Sequence, residues 1–172
     1  MTFRQDEIER LIDEFKLTSC VECGKCTASC PMTEIFNDYS SSFSPRGVIE
    51  KTLLAFDILR DKGIWYCLTC DECTEKCPQG VKFRDFINSV RTIAIQKGLS
   101  KLGLFCKRCG QYFLPAHTLE YIKTRLDGEK KGIDLLYICP RCRKYDYGAR
   151  VKGLLPARKR VSKEEGKRVS EA

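Results

Sequence analysis

The sequence predicts a mostly α-helical fold built around metal-binding cysteines, with a small second metal-binding unit near its C-terminal end. Three observations support this prediction. The chain of 172 residues contains 12 cysteines, and all of them fall into closely spaced motifs. Apolar residues recur at helical spacing before, between and after the first two motifs. The last four cysteines form two separated pairs further along the chain.

The first two motifs are cysteine runs that each end in a proline: Cys20, Cys23, Cys26 and Cys30 before Pro31, and Cys67, Cys70, Cys73 and Cys77 before Pro78. Both have the spacing C-x2-C-x2-C-x3-C-P of two-cluster ferredoxins, in which the fourth cysteine binds the other cluster. The spacing therefore predicts two [4Fe–4S] clusters with crossed ligands. One is held by Cys20, Cys23, Cys26 and Cys77, and the other by Cys67, Cys70, Cys73 and Cys30.

Zinc and disulfides are the alternatives for these cysteines. Zinc sites usually take two separated pairs, whereas each run places four cysteines close together ahead of a proline. Disulfides need an oxidising compartment, but residues 1–15 are charged and amphipathic and do not resemble a secretory signal. We therefore expect reduced thiols and a cytoplasmic protein. No apolar run approaches the length that spans a bilayer.

Three amphipathic helices are predicted by apolar residues at helical spacing: Ile8, Leu11, Ile12 and Phe15; Ile49, Leu53 and Phe56; and Phe83, Phe86, Ile87, Val90 and Ile93. Ser44 and Pro45 suit the N-cap and first turn of the second helix, and Gly98 suits the end of the third. Three helices around two clusters constitute an α-helical ferredoxin, which we predict for residues 1–100.

A four-cysteine metal-binding domain is predicted for residues 101–150. Its two knuckles contain Cys106 and Cys109, and Cys139 and Cys142. This spacing is typical of a zinc ribbon or a pair of rubredoxin knuckles closing on one metal. Zinc is favoured, with a third [4Fe–4S] cluster or mononuclear iron as alternatives. Between the knuckles we expect a short helix capped by Thr118 and a strand over residues 135–139.

Charge and residue content limit the functions that the chain can have. The formal net charge of +8 would fall to about +2 if three metal sites were filled, because four thiolates around each metal group leave −2. The basic tail, residues 151–172, is expected to be solvated or to dock an acidic partner or RNA. No nucleotide-binding glycine motif is present, and His117, the only histidine, is assigned a surface or capping role. No catalytic residue is predicted.

Three segments resemble the small iron–sulfur subunit of heterodisulfide reductase and its bacterial relatives over roughly residues 5–98: CVECGKCTASCP, SPRGVIEK and WYCLTCDECTEKCPQGV. The resemblance implies a small subunit that carries two [4Fe–4S] clusters and relays electrons to a catalytic partner, with all eight cysteines above as ligands. The third metal site is not expected in the minimal form of that subunit. It favours a bacterial or alternative complex, such as the electron-transfer subunit of a tungsten-dependent benzoyl-CoA reductase.

The expected function is therefore electron transfer within an anaerobic oxidoreductase complex. The chain would relay electrons between a flavin or iron–sulfur subunit and a catalytic subunit, without catalysing a reaction itself. The alternative is a nucleic-acid-associated iron–sulfur and zinc-ribbon protein, which we disfavour. Because Asp71, Glu72 and Glu75 make the second cysteine run the more acidic, we expect the second cluster to have the lower reduction potential.

Overall fold

The computed structural model describes residues 3–126 and 133–154. Most of the described chain is helical, which confirms the mostly α prediction. The α-helices of these ranges are α1 (Phe3–Glu14), α2 (Lys25–Ala28), α3 (Met32–Ile35), α4 (Pro45–Leu53), α5 (Gly63–Tyr66), α6 (Glu72–Glu75), α7 (Phe83–Gln96), α8 (Ala116–Arg125) and α9 (Pro140–Leu154). Short 3-10 segments lie at Leu17–Ser19, Ser41–Phe43, Ile58–Arg60 and Ile133–Tyr137. Two strands, β1 (Gly103–Phe105) and β2 (Tyr112–Pro115), form a hairpin.

The hydrophobic core forms where α1, α4 and α7 meet. Phe86 and Val90 of α7 are fully buried, and the ring of Phe15 packs edge-on against Phe86 with 6.5 Å between centroids. The backbone N–H of Lys82 donates to the Phe15 carbonyl at 3.1 Å, which joins the end of α1 to the start of α7. Each large apolar side chain buried here stabilises the fold by ~1.5–3 kcal/mol. The predicted first and third helices are confirmed.

Helix α4 begins as the sequence predicts. The Ser44 side chain accepts a hydrogen bond from the backbone N–H of Gly47 at 3.1 Å, and Pro45 occupies the first helical turn. This cap satisfies one of the donors that every helix leaves free at its N-terminus. Ser44 also accepts a hydrogen bond from the Thr27 hydroxyl at 3.1 Å, so the start of α4 is tied to the first cysteine loop.

The buried face of α4 differs from the prediction. Val48 and Ile49 are buried, but Leu53 is 43% exposed and Phe56 is 63% exposed. The helix ends at Leu53, and Ala55 then adopts a left-handed backbone with φ of 59°. Because the chain turns away at this point, Phe56 no longer lies on the helical stripe that its spacing suggested.

The β1–β2 hairpin joins the C-terminal unit to the helical core. The strands are antiparallel, with Leu104 opposite Leu114, and the ring of Tyr112 packs edge-on against Trp65 with 5.6 Å between centroids. A Cβ at Gly103 would lie 3.2 Å from the Trp65 ring. The absence of a side chain at Gly103 therefore lets the hairpin approach the segment that precedes the second cysteine run.

Two local predictions for the C-terminal unit are wrong. Thr118 is not a cap, because α8 starts at Ala116 directly after Pro115, whose fixed φ of −68° leads into the helix. Residues 135–139 are not a strand, since Ile133–Tyr137 forms a 3-10 segment and Pro140 then opens α9. Proline suits the first position of a helix, where its missing N–H costs no hydrogen bond.

Residues 3–126 and 133–154 contain no helix that is both long and apolar enough to cross a membrane. The basic tail expected over residues 151–172 lies outside the described residues from residue 155 onwards.

Candidate metal centres

The first cavity lies beside α2. Five cysteines line it: Cys20, Cys23, Cys26 and Cys77, together with Cys73, which also lines the second cavity. Apolar side chains, among them Ile49, Val81 and Phe83, line much of the remaining wall. Three cysteines of the first run and the last cysteine of the second run therefore lie around one space.

The second cavity lies beside α6. Its cysteines are Cys67, Cys70, Cys73 and Cys30. Met32, Phe43 and Phe83 contribute apolar wall. The arrangement mirrors that of the first cavity, with three cysteines of one run and the fourth of the other.

The two cysteine loops repeat one backbone conformation. Glu22 and Gly24 of the first loop have positive φ values of 51° and 76°, and the corresponding Thr69 and Asp71 have 56° and 74°. Each loop then enters a single helical turn, α2 or α6, and these two turns contact each other. Left-handed residues are costly for side chains other than glycine, so their recurrence at matching positions indicates a conformation that the sulfur placement requires.

The cavities are neighbours and each reaches the surface. Pro45, Cys73 and Phe83 line both of them, so the two spaces lie side by side. Cys23 and Cys70, the second cysteines of their runs, are exposed. Each cavity therefore has one sulfur at the surface and others against the core.

Burial controls the protonation of the inner thiols. It raises the pKa of Cys26 and of Cys67, and it raises the pKa of Cys73 to about 12. Taking a thiolate out of water is unfavourable, and the neighbouring Cys67 adds repulsion at Cys73. A positive group in the cavity, such as a metal cluster, would favour the thiolate form of these sulfurs.

Hydrogen bonds to sulfur are present at both cavities. The Tyr39 hydroxyl donates to Cys30 Sγ at 3.6 Å, and the Thr69 N–H donates to Cys67 Sγ at 3.3 Å, both at the second cavity. At the first cavity the Val81 N–H donates to Cys77 Sγ at 3.4 Å. Such donors stabilise negative charge on sulfur and so influence the potential of a bound cluster.

Most charged side chains on the cysteine loops are ion-paired. The pairs are Asp71 with Arg84 at 2.6 Å, Glu72 with Lys76 at 2.9 Å, and Glu22 with Arg46 at 2.7 Å. The acidity of the second run, on which the expected order of potentials rests, is therefore largely compensated by neighbouring cations.

The third site brings together Cys106, Cys109, Cys139 and Cys142, whose sulfurs all lie within 4.8 Å of one another. The Cys109 and Cys139 sulfurs are 3.8 Å apart. A Zn–S bond of about 2.3 Å places the sulfurs of a tetrahedron about 3.8 Å apart. No other group of three or more potential ligands within residues 3–126 and 133–154 is packed this closely.

Two different elements supply these four sulfurs. Cys106 and Cys109 lie at the turn of the β1–β2 hairpin, whereas Cys139 precedes α9 and Cys142 lies in its first turn. The second pair therefore sits at a helix start and not on a second hairpin, which distinguishes the site from the zinc ribbon that the spacing predicts. Backbone N–H groups of Cys139 and Arg108 donate to Cys106 Sγ at 3.3 and 3.4 Å. These hydrogen bonds, of which the one from the Cys139 N–H has the largest effect, lower the pKa of the Cys106 thiol to about 6.

The two aromatic residues directly before the second cysteine run line neither cavity. Trp65 and Tyr66 are buried, and Tyr66 stacks on the His117 ring with 4.6 Å between centroids. His117 is therefore neither a cap nor a surface group. It belongs to an aromatic contact between α8 and the helical core, and its Nε2 is buried without a hydrogen-bond partner in the described part of the chain.

Sequence reasoning missed two residues near the second cavity. Tyr39 lies between the cysteine runs in a segment without helical periodicity, so nothing in the sequence indicated its contact with Cys30. Arg91 is 2% exposed and donates to the carbonyl of Cys67. Arg91 lies four residues after Ile87 and three before Ala94, so it falls on the apolar face of α7. This spacing was the signal in the sequence that Arg91 is buried.

Comparison with protein families gives one match, in which a 4Fe–4S dicluster domain covers residues 16–81. The matched segment contains both cysteine runs and therefore every cysteine that lines the two cavities. This match and the cysteine arrangement support an iron–sulfur protein whose function is electron transfer. None of the curated proteins matches the chain.

Proposed function

We propose that the chain is an electron-transfer subunit that holds two [4Fe–4S] clusters with crossed ligands. Cys20, Cys23, Cys26 and Cys77 would hold the first cluster, and Cys67, Cys70, Cys73 and Cys30 the second. The observation that carries this proposal is that the last cysteine of each run lines the cavity formed by the other run, while Cys73 lines both cavities.

The clusters would supply two one-electron sites, and the protein would set the path between them. Apolar side chains line much of both cavities, and Pro45, Cys73 and Phe83 line both of them. The exposed Cys23 and Cys70 mark the two surfaces at which redox partners could approach. This arrangement suits a relay between two proteins better than a reaction on a small substrate.

The resemblance to the small iron–sulfur subunit of heterodisulfide reductase indicates the kind of complex in which the chain would work. In this proposal a flavin or iron–sulfur subunit donates electrons, and a catalytic oxidoreductase subunit accepts them, as in a heterodisulfide reductase-like or benzoyl-CoA reductase-like assembly. Clusters with sulfurs at the surface suit an anaerobic, reducing compartment such as the cytoplasm of an anaerobe.

We further propose that the third site binds one zinc ion. Its sulfur separations match a tetrahedron around a single metal. In a [4Fe–4S] cluster each thiolate binds a different corner iron, so the four sulfurs lie further apart. Zinc has no accessible redox states, and the site would therefore stabilise the C-terminal unit without carrying electrons.

A nucleic-acid-binding role is the second candidate, and the surface of α9 favours it. Arg141, Arg143 and Lys144 are exposed on this helix, together with Tyr145 and Tyr147, which are 70% and 71% exposed. Basic and aromatic side chains side by side suit phosphate contacts and base stacking. A salt-dependent gel shift with single-stranded RNA, abolished by Arg141→Gln combined with Lys144→Gln, would support this role.

Anaerobic purification tests the principal proposal. We expect about eight iron atoms and about one zinc per chain, two EPR signals after reduction, and co-elution with a flavin or iron–sulfur oxidoreductase from the native source. Cys23→Ala should remove the signal of the first cluster, and Cys70→Ala that of the second. About four irons or fewer after anaerobic reconstitution would reject the dual-cluster proposal, and about twelve irons without zinc would reject the assignment of the third site.

A further inference from the structure

Arg91 is the only charged side chain that is buried within the described residues, with 2% of its surface exposed. Its Nε donates to the Ile64 carbonyl at 2.6 Å, and its Nη2 donates to the Cys67 carbonyl. The guanidinium lies 5.8 Å from the centre of the Trp65 ring and 6.0 Å from that of Tyr112. Arg91 is thus held rigidly between two aromatic rings and the backbone of a cluster ligand.

This buried cation has no carboxylate partner among residues 3–126 and 133–154. Every ion pair found there uses other basic residues. An arginine cannot lose its charge at accessible pH, so burial without a counter-charge is costly. Hydrogen bonds to two carbonyls and the faces of aromatic rings offset only part of that cost.

The Nη2 donor of Arg91 reaches the backbone of Cys67, whose side chain lines the second cavity. Four thiolates around a [4Fe–4S]2+ core carry a net charge of −2, and this charge would lie in the second cavity.

We propose that Arg91 is the internal counter-charge of the second cluster and makes it the higher-potential cluster of the pair. This inference rests on the proposed dual-cluster function. Reduction adds one electron, supplied by the donor protein or by dithionite in an assay, and takes the ligated second cluster from −2 to −3 without a proton. A fixed cation in a water-excluded setting stabilises the more negative state, and salt does not screen it effectively.

The experiment measures the midpoint potentials of both clusters by anaerobic redox titration followed by EPR, with the signals assigned through Cys70→Ala. In the unmodified protein the second cluster should be reduced first. Arg91→Gln keeps a hydrogen-bond donor but removes the charge, and should lower the ratio of reduced to oxidised second cluster at least tenfold at a fixed potential. For a one-electron couple this is ~59 mV. The first cluster serves as an internal reference and should move far less.

Two further variants separate charge from structure. Arg91→Lys retains the charge and should restore most of the lost potential. Arg84→Gln removes an arginine that lines the same cavity but is 41% exposed and paired with Asp71, so it should have a clearly smaller effect than Arg91→Gln.

The outcomes distinguish this inference from the function on which it rests. If the unmodified protein binds only one cluster, the proposed function itself fails. If both clusters form but Arg91→Gln leaves the second potential unchanged, or Arg91→Lys lowers it equally, the role of Arg91 as counter-charge is refuted. If Arg91→Gln does not fold, the inference is tested by the order of the two potentials in the unmodified protein. A second cluster that is reduced after the first would overturn it.

Discussion

Removing Cys30 tests the crossed ligation directly, because Cys30 belongs to the first run in sequence but lines the second cavity. In Cys30→Ala the second cluster loses one of its four ligands, and the first keeps all of its own. We expect the iron content to fall from about eight by about one atom, if only the unligated corner iron leaves, or by about four, if the whole cluster is lost. The EPR signal of the first cluster should remain.

The matched variant is Cys77→Ala, which belongs to the second run but lines the first cavity. It should affect the first cluster and preserve the second.

A double variant makes the test decisive. With crossed ligands, Cys30→Ala combined with Cys70→Ala removes two ligands from one cluster, so an intact first cluster of about four irons should survive. With uncrossed ligands the same pair would damage both clusters. Anaerobic iron analysis and EPR of each variant supply the measurement. Loss of the first signal in Cys30→Ala, or of both signals in the double variant, would refute the ligand assignment.

Three further predictions concern the scaffold. Ser44→Ala removes the α4 cap and should lower the free energy of unfolding, measured with denaturant on the anaerobic holoprotein, by about 1 kcal/mol; an unchanged value would contradict the cap. Gly47→Ala should destabilise by roughly 1–3 kcal/mol, because its Cβ would lie 2.6 Å from the Ser41 carbonyl oxygen. Gly148→Ala is the matched control, since that Cβ would meet no atom within 4 Å; it should stabilise α9 by roughly 0.5–1 kcal/mol. Cys139→Ser should release zinc and increase hydrogen exchange over residues 103–126 while both cluster signals persist; loss of a cluster signal would assign the third site a role in holding that cluster.

The parts of the fold that could be predicted from the sequence depend on local patterns. The apolar spacing of α1 and α7 identifies their buried faces, and Ser44 with Pro45 identifies the start of α4. These signals suffice because a helix satisfies its backbone hydrogen bonds within itself. The cysteine spacing likewise indicates two ligand sets, since the loop that places three sulfurs is formed by consecutive residues.

The parts that could not be predicted depend on contacts between distant segments. Strands β1 and β2 are each only three or four residues long, too short for an alternating pattern to stand out. Phe56 is exposed because the chain turns at Ala55, which has a left-handed backbone. Glycine or asparagine usually marks such a turn in a sequence, and neither stands at this position. The stacking of His117 on Tyr66 joins α8 to α5, two helices that lie far apart in the sequence.

The expected order of the two cluster potentials remains a prediction that rests on charges counted in the sequence. Counting made the second run the more acidic, but the structure pairs Asp71 with Arg84 and Glu72 with Lys76. The exposed Glu75 then remains as an unpaired acid on the described part of that loop. Two unit charges 4 Å apart interact by about 1 kcal/mol in water and by about 4 kcal/mol at an effective dielectric constant of 20. A buried charge therefore outweighs a solvated one at a similar distance, which is why the proposed role of Arg91 would reverse the order that the sequence predicts.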